Sequence, residues 1–264
     1  MRSHHRKRRH AFRQLLMLAA WATTPFVASA LPTQTWSEWA SPVRQITAVS
    51  SNGFASLLNG AIATVFYGDG SSDQAVFTGG PVVGGDISSA GTASFVVVAS
   101  SEGSLTSFPA FSISNLDRVR TLTGFRIDAL GDGTGQAAFD RGLGVTDTAR
   151  PSTPGSETGI DLHMDFTGRT FLTGTVDITF SNPLSLLGAA PVGDLFSTVE
   201  VRMQLGTVIG LPPVTQFNAV FSTLNFRSDV DGVAYAAPVP EPSQAALLVA
   251  GLGLLIGARR RMTG

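Results

Sequence analysis

Seven turn-forming pairs punctuate the chain between Val43 and Tyr235, five of them before Asp86. They are Asn52-Gly53, Asn59-Gly60, Asp69-Gly70, Gly79-Gly80, Gly84-Gly85, Asp132-Gly133 and Asp231-Gly232. Asn-Gly and Asp-Gly pairs favour the positive φ angles of tight hairpins. They separate many of the segments, and no segment between them carries an extended helical period. A single helical turn at Leu184–Leu187 is the most the pattern allows. The remaining segments read as strands: Val43–Val49, Ala61–Tyr67, Gln74–Thr78, Ala93–Ala99, Phe108–Ile113, Val119–Asp128, Ile160–Phe166, Thr170–Phe180, Ser197–Leu205, Val214–Phe221 and Asn225–Tyr235.

Several of these segments alternate. Val199, Val201, Met203 and Leu205 take every second place, as do Val176, Ile178 and Phe180. Alternation of period two gives one buried face and one wet face, as in antiparallel sheets. The 17 phenylalanines supply bulky material for a shared core, and with no cysteine there is no disulfide framework. The expected fold is all-β, an antiparallel β-sandwich of jelly-roll-like form. A β-helix is the alternative, but no fixed repeat length supports it. Gly131–Glu157 is rich in Gly and Pro and reads as a long surface loop with a short strand near Ala137–Phe139. Trp36 and Trp39, near the start of this region, read as a plug at the edge of the core, or as sugar-stacking rings if exposed.

Both ends have a different character. Arg2, Arg6, Lys7, Arg8, Arg9 and Arg13 precede an apolar run, Leu15–Ala22, and then small residues at Ala28 and Ala30. A basic, then apolar, then small-residue order is that of a secretory signal, cleaved after Ala30 by signal peptidase. Residues 1–30 are therefore expected to form a signal helix, and residues 31–237 the exported domain. At the other end, Pro240-Glu241-Pro242-Ser243 precedes an uncharged segment of 14 residues, Ala245–Ala258, and then Arg259-Arg260-Arg261. The prolines keep the stretch around Glu241 out of a helix. The apolar segment would be about 21 Å long as a helix at ~1.5 Å per residue. That is a short membrane span, extended by the arginine stems, and the arginines would stay cytoplasmic.

This three-part tail, residues 238–264, resembles the PEP-CTERM sorting signal of Gram-negative bacteria, also labelled ice-binding protein C-terminal domain. The resemblance implies that an exosortase cuts at Pro240-Glu241-Pro242-Ser243 after the chain has been held in the inner membrane. It also implies a cell-surface or extracellular destination, in company with exopolysaccharide and biofilm. A plain membrane anchor that is never cut is the other reading of the same residues. The ice-binding label finds no support in the domain. Its T-x-T pairs, starting at Thr121, Thr146 and Thr173, stand 25 and 27 residues apart, too far for a stacked threonine array.

All 19 acidic residues lie between Leu31 and Ala258, but only nine of the 18 basic ones do, so that stretch carries about −10. Such a balance argues against a nucleic-acid partner. Within the domain, Ile160-Asp161-Leu162-His163-Met164-Asp165-Phe166 is the sharpest candidate for chemistry. On a strand, Asp161, His163 and Asp165 share one side and could offer a metal or carbohydrate contact. The plainer reading is the solvent face of an amphipathic strand.

No metal site or cofactor is expected. Asp128–Gly133 starts like a calcium loop, but Leu130 and Phe139 occupy positions that require oxygen ligands. Asp69–Asp73 and Asp229–Asp231 could offer oxygens to a looser Ca2+ site, although turn chemistry accounts for them. There is no nucleophile elbow, Walker loop or dinucleotide fingerprint. The chain is expected to be non-enzymatic, with a carboxylate-based polysaccharide hydrolase as the alternative.

Overall fold

The computed structural model describes residues 31–40, 43–50, 55–83, 85–102, 110–117, 119–131, 133–142, 160–166, 172–186, 191–207 and 223–236. Both helical flanks of the expected fold, and the expected strand Val214–Phe221, lie outside these residues. Among the described residues the chain is nearly all strand, with fifteen strands and one 3-10 turn at Ala55–Leu58.

The smaller sheet has six strands, in the order β11 (His163–Asp165), β14 (Thr223–Arg227), β8 (Ala110–Asn115), β7 (Phe95–Glu102), β6 (Gly85–Gly91) and β5 (Thr78–Val82). Every pairing in it is antiparallel. The larger sheet has nine strands, in the order β1 (Thr33–Glu38), β12 (Leu172–Leu186), β2 (Arg44–Ser50), β15 (Asp229–Tyr235), β10 (Ala137–Asp140), β13 (Pro191–Thr207), β9 (Leu122–Asp128), β3 (Ile62–Tyr67) and β4 (Ser72–Val76). It departs from the antiparallel expectation, because β1 and β2 both run parallel to β12. Residues 33–38 lie against 175–180, and residues 44–46 against 184–186, so the two strands follow one edge of β12 in turn.

Alternation fixes which side chains meet between the sheets. Phe111 and Phe226 of the smaller sheet stack with ring centroids 4.7 Å apart, and Phe125 of the larger sheet lies 4.9 Å from Phe226. All three are at most 2% exposed and belong to one apolar cluster drawn from both sheets.

A second cluster sits apart. The long strands β12 and β13 pair with each other, β13 pairs with β10, β10 with β15, β15 with β2, and β2 with the end of β12. Five strands thus close into a ring. Ile46, Ala138, Leu184, Leu195 and Val233, one residue from each, form its core.

Several local expectations are corrected. Leu184–Leu186 forms no helical turn; it ends β12 and pairs with Arg44–Ile46, completing the ring. Gly79-Gly80 is not a turn but part of β5. A Cβ at Gly79 would stand 2.0 Å from the Ile87 carbonyl oxygen, so glycine serves a close strand approach there. Asp231-Gly232 likewise lies inside β15, with Gly232 close against Ser50. Asp69-Gly70 does turn the β3–β4 hairpin, with Gly70 at φ 85°. The Trp pair splits: Trp36 packs on the main core, whereas Trp39 is 64% exposed. Strand β1 itself was not expected, because polar residues take most of its places.

Candidate functional site

Strand β11 is the short edge of the smaller sheet, and its neighbours set what surrounds the Asp161–Asp165 segment. Ile160, Leu162, Met164 and Phe166 are buried, as their alternation requires. His163 stands opposite Arg227 and Asp165 opposite Asn225 on β14. Across the next strand Arg227 faces Ala110 and Asn225 faces Ser112. These in turn face Ser100 and Val98 of β7. The outward face here therefore presents hydroxyl, amide and charged groups, interrupted by Ala110 and Val98.

A groove of about 310 Å³ runs over these groups, bordered by Ser100, Ser112, Asp165, Asn225 and Arg227. Asp165, Asn225 and Arg227 are exposed, and Ser100 and Ser112 are half-buried. Ser114 and Thr223 continue the hydroxyl row beyond it, 2.7 Å apart. The groove can donate from guanidinium, amide and hydroxyl groups and accept on carboxylate and amide oxygens, a mixture suited to a polyhydroxylated ligand. A larger cleft, about 550 Å³, lies between the 3-10 turn and β5 and holds no ionisable side chain. Its Asn59 amide is already engaged, donating to the Gly79 carbonyl and accepting from Ser88.

Asp161 does not join this face. It precedes β11, is 5% exposed, and lies 3.6 Å from Arg141, which also pairs with Glu38 of β1. Burial pushes its carboxyl up to about 6; Arg141 and the Gly142 N–H oppose the shift, and Asp194 adds to it. His163 is held below its ordinary value by burial, with Asp165 acting in the opposite sense. Of the three residues grouped by spacing, then, only His163 and Asp165 border the outward face. Among the described residues no group of three or more His, Cys, Asp or Glu is placed to hold a metal ion.

The Asp161 carboxyl predicts a pH dependence. Its folded pKa lies above the unfolded value of 3.8, so the folded state holds the proton more tightly. Its contribution to stability is fully present below pH ~4 and is lost as pH rises through about 6. D161N should remove this part of the stability–pH profile between pH 4 and 7, as read by urea unfolding at several pH values. An unchanged profile in D161N would assign the slope to other groups.

Asn225 and Arg227 were not singled out by spacing. Position on a strand gives no sign of function until the pairing is known.

The turn aspartates have structural duties. Asp128 Oδ1 accepts from the N–H groups of Leu130 (3.2 Å) and Gly131 (3.5 Å). Gly131 has φ 55°, and a Cβ there would lie 1.9 Å from the Gly60 carbonyl oxygen. Asp69 accepts from the backbone and hydroxyl of Ser71. Asp73 and Asp117 hold the Arg120 guanidinium, which lies over the Tyr67 ring at 3.9 Å. The Arg120 contacts keep both carboxyls below their ordinary range.

The sequence-marked tail residues Pro240, Glu241, Pro242, Ser243, Arg259, Arg260 and Arg261, and Ala28 and Ala30 at the other end, lie outside the described residues. Among the described residues no helix is long and apolar enough to cross a membrane. Residues 238–261 match the family model of the PEP-CTERM protein-sorting motif. The chain thus carries the sorting signal that its Pro-Glu-Pro, apolar and arginine segments resemble, which implies export, membrane anchoring before processing, and handling by an exosortase. No curated protein and no solved structure matches the chain.

Proposed function

We propose that the chain is a non-enzymatic surface or matrix protein. Its two sheets stack as a β-sandwich, and its outward polar face associates with exopolysaccharide in a biofilm. The face-to-face contact of Phe125 with Phe226 supports the stacking. The observation that carries the binding reading is the groove bordered by Ser100, Ser112, Asp165, Asn225 and Arg227. Sugar hydroxyls each donate and accept, and a row mixing carboxylate, amide, guanidinium and hydroxyl groups meets both needs. The non-enzymatic reading is supported by the position of Asp161. The carboxyl raised to about 6 sits under Arg141 instead of on the groove.

The test is co-sedimentation of the purified chain with polysaccharide from a producing strain, alongside an assay for released reducing ends. The wild type should bind, a D165A/N225A variant should lose about tenfold or more in affinity as three or four hydrogen bonds go, and no reducing ends should appear. Binding that survives the double change sinks the groove assignment. Release of reducing ends supports the hydrolase instead.

A further inference from the structure

Most arginines of the described residues are matched by an acid. Arg44, Arg120, Arg141 and Arg202 each stand within ion-pair distance of a carboxylate. Arg126 stands directly opposite Glu200 of β13. Arg227 differs. Its neighbours across the sheet are His163 on one side and Ala110 on the other. Asp165 lies on the diagonal, a separation of about 7–8 Å between strand positions. Among the described residues no carboxylate reaches ion-pair distance of the Arg227 guanidinium.

This unmatched cation is exposed and is the basic side chain of the groove lining. His163 beside it adds no charge at pH 7, because burial keeps it below its ordinary value. The groove therefore has two poles. The guanidinium only donates, and Asp165 when ionised only accepts, whereas Asn225, Ser100 and Ser112 do both.

The poles ask for different groups. Asp165 needs hydroxyl donors. Arg227 offers parallel N–H groups in a planar fork, which fits a carboxylate with two hydrogen bonds. A neutral sugar would cover this cation without neutralising it, at a cost in lost solvation. A sugar acid carries ring hydroxyls and a carboxylate on one unit.

We propose that the groove takes an acidic polysaccharide, with a uronic acid carboxylate on Arg227 and ring hydroxyls toward Asp165 and Asn225. The inference rests on the groove's being the polysaccharide site. The balance of about −10 between Leu31 and Ala258 opposes a polyanion at long range. At ~0.15 M ionic strength, exposed charges more than about 8 Å apart are largely screened, so the direct contact at Arg227 decides.

The test uses the purified whole chain in mild detergent at that ionic strength. The ligands are polygalacturonate, the polysaccharide of a producing strain, and each polymer after chemical reduction of its carboxylates to primary alcohols. Reduction removes the charge and keeps the sugar chain. The wild type should bind the native polymers about tenfold or more tighter than the reduced ones, the factor expected of a charge-assisted hydrogen bond. R227Q should remove that preference, and R227K, which keeps the charge and loses the fork, should retain part of it. Arg227 is exposed and makes no ion pair among the described residues, so R227Q should keep the wild-type Tm. Equal affinity of the wild type for native and reduced polymers, with binding still lost in D165A/N225A, overturns the acidic class and leaves the groove standing. A preference that R227Q retains in full overturns the role of Arg227. Inorganic phosphate competing as well as free galacturonate also overturns the proposal, because any anion would then serve. Binding to none of the polymers, or binding that survives D165A/N225A, removes the groove reading and this inference with it.

Discussion

Replacing Phe226 by alanine is expected to lower the free energy of unfolding by about 3–5 kcal/mol. Phe226 is 1% exposed and stacks on Phe111 from its own sheet and on Phe125 from the other. Truncation removes apolar surface, leaves a cavity between the sheets, and deletes two ring contacts at once. The ring contacts contribute about 0.5–1.5 kcal/mol each beyond the area they bury. For a domain of this size such a loss corresponds to a fall in Tm of about 10 °C. A control in the same urea and thermal measurements is Val119→Ala. Val119 is 82% exposed, so that change should stay within about 0.5 kcal/mol. An F226A domain as stable as the wild type would mean that the two sheets do not depend on this stack.

The second large effect is all-or-none. Deleting Pro240-Glu241-Pro242 is expected to leave the apolar segment on the protein and the protein in the membrane fraction. The unchanged chain, expressed beside its exosortase, should lose the segment. The physical reason is access, because an extended peptide presents its backbone to an enzyme's cleft, and prolines on both sides of Glu241 keep it out of a helix. Mass spectrometry of the C-terminus distinguishes the forms. A wild-type chain that keeps its tail whether or not the exosortase is present would sink processing and leave a plain anchor.

Much of the fold was legible because burial imposes periodicity. The segments with clear alternation, such as Val199–Leu205 and Val176–Phe180, are strands with the expected residues inside. Strand β1 escaped because its place is set by long-range pairing. Strand β1 is mostly polar, yet the Trp36 Nε1–H donates to the Leu162 carbonyl, and the Gln34 amide donates to the Met164 carbonyl and accepts from its N–H. Side chains of β1 thus fasten the larger sheet to β11 at the edge of the smaller one, which no local pattern announces. Glycine misled in one direction. Gly79-Gly80 signals a turn by composition, but close approach of Ile87 explains it equally well, and only the tertiary neighbour decides.

The candidate site was legible in part. The period of two placed His163 and Asp165 together and the apolar partners inward. It also grouped Asp161 with them, which holds only for a regular strand. The segment becomes strand at His163, so Asp161 turns instead to Arg141. Asn225 and Arg227 lie about 60 residues away in sequence and meet Asp165 and His163 only through the β11–β14 register.

The five-strand ring has a mechanical consequence. The tail is attached to β15, which is bordered on one side by β10 and on the other by β2. Tension transmitted through the tail, from the bilayer or from whatever later holds the C-terminus, acts along β15 and at right angles to its hydrogen bonds. Those bonds must slide and fail together and cannot peel one at a time, as they would from a border strand. The cable is spliced into the middle of the weave, where a tug is shared by both flanking ladders.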